Sequence, residues 1–160
     1  MAEPPGVMRW LELKVPPPAV ALLLAAAMWW AAPQVPALDG LPTWRAGLAL
    51  VLVVAGGSVD MAGLWAFHRQ RTTVNPLRPA NASALVTGGV YRITRNPMYV
   101  GMACFLLAWA VWLGTLAAFL GPVALVAYLT RFQIQPEERV LTQLFGTAYT
   151  DYTQRVRRWL

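Results

Sequence analysis

Four apolar segments dominate the pattern along this chain, covering residues 15–32, 46–67, 98–113 and 116–134, with short polar stretches between them. A bilayer's hydrocarbon core takes roughly 20 apolar residues per helix, with ~17 as the lower bound. The pattern therefore predicts four membrane helices, the first and third of them short. Residues 98–130 carry no charge. As one helix they would run to about 50 Å, so the stretch must fold back on itself. Gly114-Thr115 divides it most evenly and is the expected turn. Gly121-Pro122 is the alternative, or else a kink within the fourth helix.

The pattern changes after Pro136. Glu137 and Glu138 are expected in a first helical turn, where carboxylates meet the favourable end of the helix dipole. Leu141, Leu144 and Phe145 then form an apolar face at helical spacing, and Gly146 stops it. Tyr149, Tyr152 and Arg155 follow at three-residue steps. An interfacial amphipathic helix accounts for such a segment without any catalysis. The expected fold class is all-α, a polytopic integral membrane helical bundle of about four transmembrane helices with a cytosolic C-terminal amphipathic helix. Residues 1–160 form one domain, with a loop at 68–97 and a C-terminal segment at 135–160.

Composition agrees. Apolar residues make up 58% and charged residues 12% of the chain, too apolar for a soluble domain of this length. Charge placement sets the orientation. Arg9 and Lys14 precede the first segment, Asp39 and Arg45 roughly cancel, and the second loop carries Arg69, Arg71, Arg78, Arg92 and Arg95 with no acidic residue. By the positive-inside rule both termini and this loop face the cytosol. The net charge of +6 thus reflects topology and attraction to anionic membrane lipids. It does not point to nucleic acid, which would need basic, aromatic-studded surfaces on a soluble fold. Arginine in place of lysine hints at a bacterial inner membrane. A cleaved signal peptide would need small residues where Trp29-Trp30 stand, and these read better as an interfacial belt. The lone Cys104 provides no disulfide and the lone His68 excludes most metal sites, so no metal is expected. Small residues on the second helix permit a dimer without requiring one, and the oligomeric state stays open.

Candidate chemistry gathers at the ends of the uncharged stretch. Asn96-Pro97 suits a helix start, with Asn as N-cap and Pro at the first position. Arg95 and Tyr99 add a cation and a phenol around that first turn, where backbone N–H groups also point outward. Thr87-Gly88-Gly89-Val90-Tyr91 reads as a tight turn feeding the same place. Gly56-Gly57-Ser58 lies inside the second segment and indicates close helix packing. Asp60 is an ionisable residue at membrane depth, where such groups usually have a purpose. It is expected to pair with Arg131, or to line the acceptor's entry path.

Taken in order, Gly89-Val90-Tyr91, Arg95-Asn96-Pro97-Met98-Tyr99-Val100-Gly101, Glu137-Glu138-Arg139-Val140-Leu141, Phe145-Gly146-Thr147-Ala148-Tyr149-Thr150-Asp151-Tyr152 and Arg155-Val156 resemble the membrane-embedded methyltransferases. That family includes isoprenylcysteine carboxyl methyltransferase and phospholipid N-methyltransferase. The likeness covers the chain from about Thr72 onward. Asn96 stands where the isoprenylcysteine enzymes carry histidine, and Asn-Pro-Met-Tyr is the phospholipid-methyltransferase form. Arg95 and Arg155-Val156 look like the isoprenylcysteine branch.

The resemblance implies S-adenosylmethionine as cofactor and a lipophilic methyl acceptor. Tyr91, Asn96, Tyr99, Gly101, Glu137, Glu138 and Tyr149 would bind the cofactor. Arg95 and Arg155 would serve catalysis, with Tyr152 toward the acceptor; Asp60, which the family motifs do not cover, is a further candidate for the acceptor's path. Glu137 and Glu138 would accept from the ammonium and ribose hydroxyls, and the Arg95 region would meet the carboxylate. The acceptor is open between an isoprenylcysteine-type carboxylate, a related small acid or thiol, and a phospholipid amine. A small non-catalytic membrane protein is the reading from another class, and it predicts that both glutamates can become glutamine without loss. A reductase of related architecture would need a larger bundle.

Overall fold

The computed structural model describes residues 12–37, 42–69 and 84–160. Arg9, Asp39, Arg71 and Arg78, and with them much of the charge argument for the loops, lie outside the described residues.

Among the described residues six α-helices follow in order: α1 (Pro17–Ala31), α2 (Pro42–Arg69), α3 (Pro97–Leu113), α4 (Leu120–Leu129), α5 (Gln135–Phe145) and α6 (Thr147–Arg155). Short 3-10 turns stand at Ala32–Gln34, Gly89–Arg92 and Leu116–Phe119. No strand occurs among the described residues, where isolated bridges join Ala37 to Thr115 and Thr94 to Arg157. Two helical stretches among the described residues, Thr43–Arg69 and Leu116–Phe145, are long and apolar enough to cross a membrane by length and composition. Helix α3 has 17 residues. Helix α1 has only 15, about 22 Å at the usual rise, because Pro16-Pro17-Pro18 and Pro33 confine it.

The chain turns at Gly114, whose φ of 65° closes α3 in the left-handed conformation. The Arg45 guanidinium lies so close that a Cβ there would overlap it. Pro122 falls inside the first turn of α4, where a missing N–H is tolerated. The core joins Val20 and Met28 of α1, Leu106 and Ala110 of α3, and Leu125, Leu129 and Ile134 further on. Helices α2 and α3 approach through small residues. A Cβ on Gly56 would sit 3.0 Å from the Gly101 carbonyl and from Cys104, and one on Gly101 would overlap the Asp60 carboxylate. The opposite side of α2, with Val51, Val54, Met61 and Trp65, is exposed and apolar, as suits a helix facing lipid.

Pro136, Glu137 and Glu138 do stand in the first turn of α5, as expected, but that turn is not a free helix end. Ile134, just before α5, is itself helical, and the chain runs on from α4 through a π-helical turn at Thr130–Ile134. Glu137 and Glu138 therefore occupy no free helix N-terminus. In an α-helix the Phe132 carbonyl would accept from the N–H at position 136, which proline lacks. Instead it accepts from the Leu13 N–H at 3.0 Å. Leu13 itself has φ 58°, a conformation costing an L-residue about 1–2 kcal/mol. The contact with Phe132 helps to hold it there.

A second correction concerns Asp60. Arg131 does not reach it and bonds Glu12 at 2.6 Å instead. Asp60 lies half-buried against Gly101, with one carboxylate oxygen buried and without a partner among the described residues.

Candidate active site

The site assembles from three stretches: the turn before α3, the start of α5, and α6 with the tail behind it. Gly89 adopts φ 62° at the head of the 3-10 turn, a conformation open to glycine at little cost. The turn buries Tyr91, whose ring meets Phe67 edge-on with centroids 5.4 Å apart. From α6, the Tyr152 hydroxyl donates to the Tyr91 carbonyl at 2.7 Å. That bond ties α6 to the turn.

The tail then passes beside residues 94–96. The Arg95 N–H donates to the Arg157 carbonyl at 3.0 Å. The Arg158 carbonyl accepts from Asn96 Nδ2 at 2.9 Å and from Thr94 Oγ1 at 3.3 Å. Asn96 does precede α3, with Pro97 in the first turn, but its side chain makes no capping bond. Its amide is used to hold the tail, and the Asn96 N–H donates to Thr94 Oγ1 at 3.2 Å.

Charged groups meet above this frame. Glu138 receives Arg95 Nη1 at 3.0 Å on one oxygen. Arg158 grips both its oxygens, Nε at 2.9 Å and Nη2 at 2.7 Å, the fork geometry that makes arginine–carboxylate bonds strong. Arg95 Nη1 also donates to the Tyr149 hydroxyl at 3.4 Å, while Arg95 Nε is buried with no partner among the described residues. Glu137 is bonded far more lightly, by Tyr99 Oη at 3.4 Å. Adjacent carboxylates thus differ: Glu138 is saturated by two arginines, whereas Glu137 keeps acceptor capacity.

Burial pushes the Tyr149 hydroxyl up to about 12, with the Glu138 charge adding and Arg95 opposing. Burial raises Tyr91 and Tyr152 as well, and the bond to Glu138 raises Arg158. All three phenols are neutral donors at ordinary pH. Between about pH 10 and pH 12 the unfolded chain gives up the Tyr149 proton while the folded chain keeps it, so stability falls as pH rises through that window. Tyr149→Phe is expected to flatten this stretch of a plot of denaturation midpoint against pH.

Of the residues singled out in the sequence, Tyr91, Arg95, Asn96, Tyr99, Glu137, Glu138, Tyr149 and Tyr152 come together here. Gly101 and Asp60 face each other at the α2–α3 seam, and the Asp60 charge is near enough to act on the Tyr91 hydroxyl. Arg155 stands apart on the surface, bonded to the Asp151 carbonyl of its own helix. The cation that completes the cluster is Arg158, which the sequence reading passed over. Its only signal there was the Arg157-Arg158 pair just past the expected helix. Trp159 helps to place it, donating to Thr130 Oγ1 at 3.1 Å.

The chain is 44% identical over 63 residues to an uncharacterized protein of Haemophilus influenzae, covering 39% of this chain and 100% of that one. It is 32% identical over 119 residues to protein-S-isoprenylcysteine O-methyltransferase B of Arabidopsis thaliana, covering 71% of this chain and 57% of the plant protein. The mouse protein-S-isoprenylcysteine O-methyltransferase is likewise 32% identical, over 71% of this chain and 40% of its own length. The chain therefore spans about half the length of these named relatives. A family model described as phospholipid methyltransferase matches residues 44–148, stopping just short of Tyr149, Tyr152 and Arg158. That match takes in well over half the chain, including both glutamates and the helix that opens at Pro97, and on that ground the chain belongs to the phospholipid methyltransferase family.

Proposed function

We propose that this chain transfers a methyl group from S-adenosylmethionine to a lipophilic acceptor at the cytosolic face of a membrane. The observation that carries the reading is the pair of unspent polar groups in one charged cluster: the buried Arg95 Nε and the lightly bonded Glu137 carboxylate. A donor with a zwitterionic amino-acid end asks for such a cation and such an acceptor. The residues present fit that demand. Arg95 would face the carboxylate, and Glu137 the ammonium or ribose hydroxyls. Tyr91, Tyr99 and Tyr149 would border the flat base or the cation, which aromatic faces attract.

S-Adenosylmethionine, when bound, supplies an electrophilic methyl on a sulfonium. The chain's own work is alignment and exclusion of water. Glu138 holds Arg95 in place, Arg158 holds Glu138, and Tyr152 fixes the turn that carries Tyr91. Neutral phenols line the site without offering a competing nucleophile. Four crossings fit this picture, with α1, α2, α3 and the α4 stretch spanning and α5 and α6 on the cytosolic surface. Exposed Trp29 and Trp30 at the end of α1 suit an interfacial position. The inner membrane of a bacterium is the setting the composition suggests.

The names of the plant and mouse relatives favour a lipophilic thioether acid as acceptor. A phospholipid amine is the second reading, favoured by the family description and by Asn96-Pro97-Met98-Tyr99. The test is calorimetric titration of S-adenosylmethionine and its demethylated product into the purified protein, in detergent and in nanodiscs. Saturable binding of both is expected, followed by labelled methyl transfer to one acceptor class. Folded protein that binds neither, in either medium, would end the methyltransferase reading.

A further inference from the structure

The residues just before α1 are bonded to a stretch remote in sequence, between Arg131 and Arg139. Arg131 donates to Glu12 Oε1 at 2.6 Å, and Arg139 donates to the other Glu12 oxygen. The Leu13 N–H reaches the Phe132 carbonyl at 3.0 Å. Gln133, wholly buried, donates Nε2 to the Val15 carbonyl at 2.7 Å. Every one of these bonds lands on residues 131–139, the π turn and the first turns of α5. Arg131 and Arg139 stand on either side of Pro136, and Glu137 and Glu138 lie between the proline and Arg139.

A π turn followed by a proline is a weak point in a helix, because the regular bond ladder is interrupted there. Left to itself, the segment after it could swing or rotate. Glu12 spans the interruption by holding one cation on each side. Leu13 supplies the N–H that the proline lacks.

We propose that residues 12–15 form a latch that fixes the rotation of α5, with Glu12 as a positioning residue for Glu137. The consequence for donor binding rests on the methyl-transfer reading, whereas the latch itself does not. Glu12 touches none of the cluster around Arg95 and Glu138, and it acts only through Arg131 and Arg139. The strained Leu13 fits this role, since an unfavourable backbone conformation persists where surrounding contacts over-determine it.

The test uses the full chain in nanodiscs, as Glu12→Gln, Glu12→Asp and Arg139→Gln beside the wild type. Amide hydrogen exchange is followed over residues 137–141, and the Kd of the demethylated donor is measured with the KM of each substrate. In Glu12→Gln, exchange should quicken about tenfold and the donor Kd should rise about tenfold, the usual scale for losing a charged hydrogen bond. Acceptor KM should hold, Glu12→Asp should recover part of the loss, and Arg139→Gln should shift both readouts in the same direction. A merely structural role would lower the yield of folded protein but leave exchange and Kd in the folded fraction unchanged, and that result overturns the proposal. Should the wild type bind no donor, the methyl-transfer reading falls and exchange alone decides. Faster exchange in Glu12→Gln then upholds the latch, and unaltered exchange rejects it.

Discussion

Glu138→Gln is expected to lower stability by about 2–3 kcal/mol, read as a shift in denaturation midpoint against the wild type. Removing one partner of a buried ion pair costs about 3–5 kcal/mol, mainly because the other charge is left stranded. Here the pair is not fully buried: the Glu138 side chain is 18% exposed and that of Arg158 is 36% exposed, which reduces the figure. Arg95, at 11% exposure, is the residue left worst off, with a 3.4 Å bond to Tyr149 as its remaining polar side-chain contact among the described residues. Loss of the fork also frees the tail, because Arg158 both grips Glu138 and hangs its carbonyl on Asn96. A variant as stable as the wild type would show that Glu138 is not the hub of this cluster.

Glu137→Gln should behave in the opposite way. Its one bond among the described residues is long, 3.4 Å to Tyr99, so stability should change by less than about 1 kcal/mol. Neutralising a half-buried carboxylate that bonds no cation among the described residues is neutral to mildly stabilising, as at other functional sites where charge is held at a cost. Donor affinity should drop roughly tenfold to a hundredfold, the range for a charge-assisted hydrogen bond. Calorimetry on the folded variant reads this directly. Unchanged affinity would remove Glu137 from the binding site and favour the non-catalytic alternative.

The contrast between these neighbours shows what a sequence can convey. Two adjacent glutamates after a proline were visible, and so was the family motif around Arg95 and Tyr99. Which glutamate is saturated depends on Arg158, which lies twenty positions further on and outside any helix. The family motif favoured Arg155 through Arg155-Val156, and Tyr149, Tyr152 and Arg155 also fall on one stripe. The chain leaves the helix at Val156, so the stripe stops informing just where the second cation enters. The turn at Gly114 was legible because an uncharged stretch too long for one crossing must fold. The π turn was not, since it arises from Pro136 together with a donor from the chain's beginning. Charge matching proposed Asp60 for Arg131 and had no means of ranking Glu12, which is remote in sequence and adjacent in space.

The π turn also sets a rule of counting. Each residue along an α-helix advances the direction of its side chains by about 100°, and the wider turn at Thr130–Ile134 sets the phase in which the polar face of α5 leaves the uniformly apolar α4. Substitutions within it leave that phase alone. A single-residue deletion would not: the turn would tighten, and everything after it would rotate by about a quarter of a circle, carrying Glu138 away from Arg95. The spacing between Gly114 and Glu137 is therefore constrained in length more tightly than in composition. Descendants of this chain should vary there by exchange of residues and not by their loss.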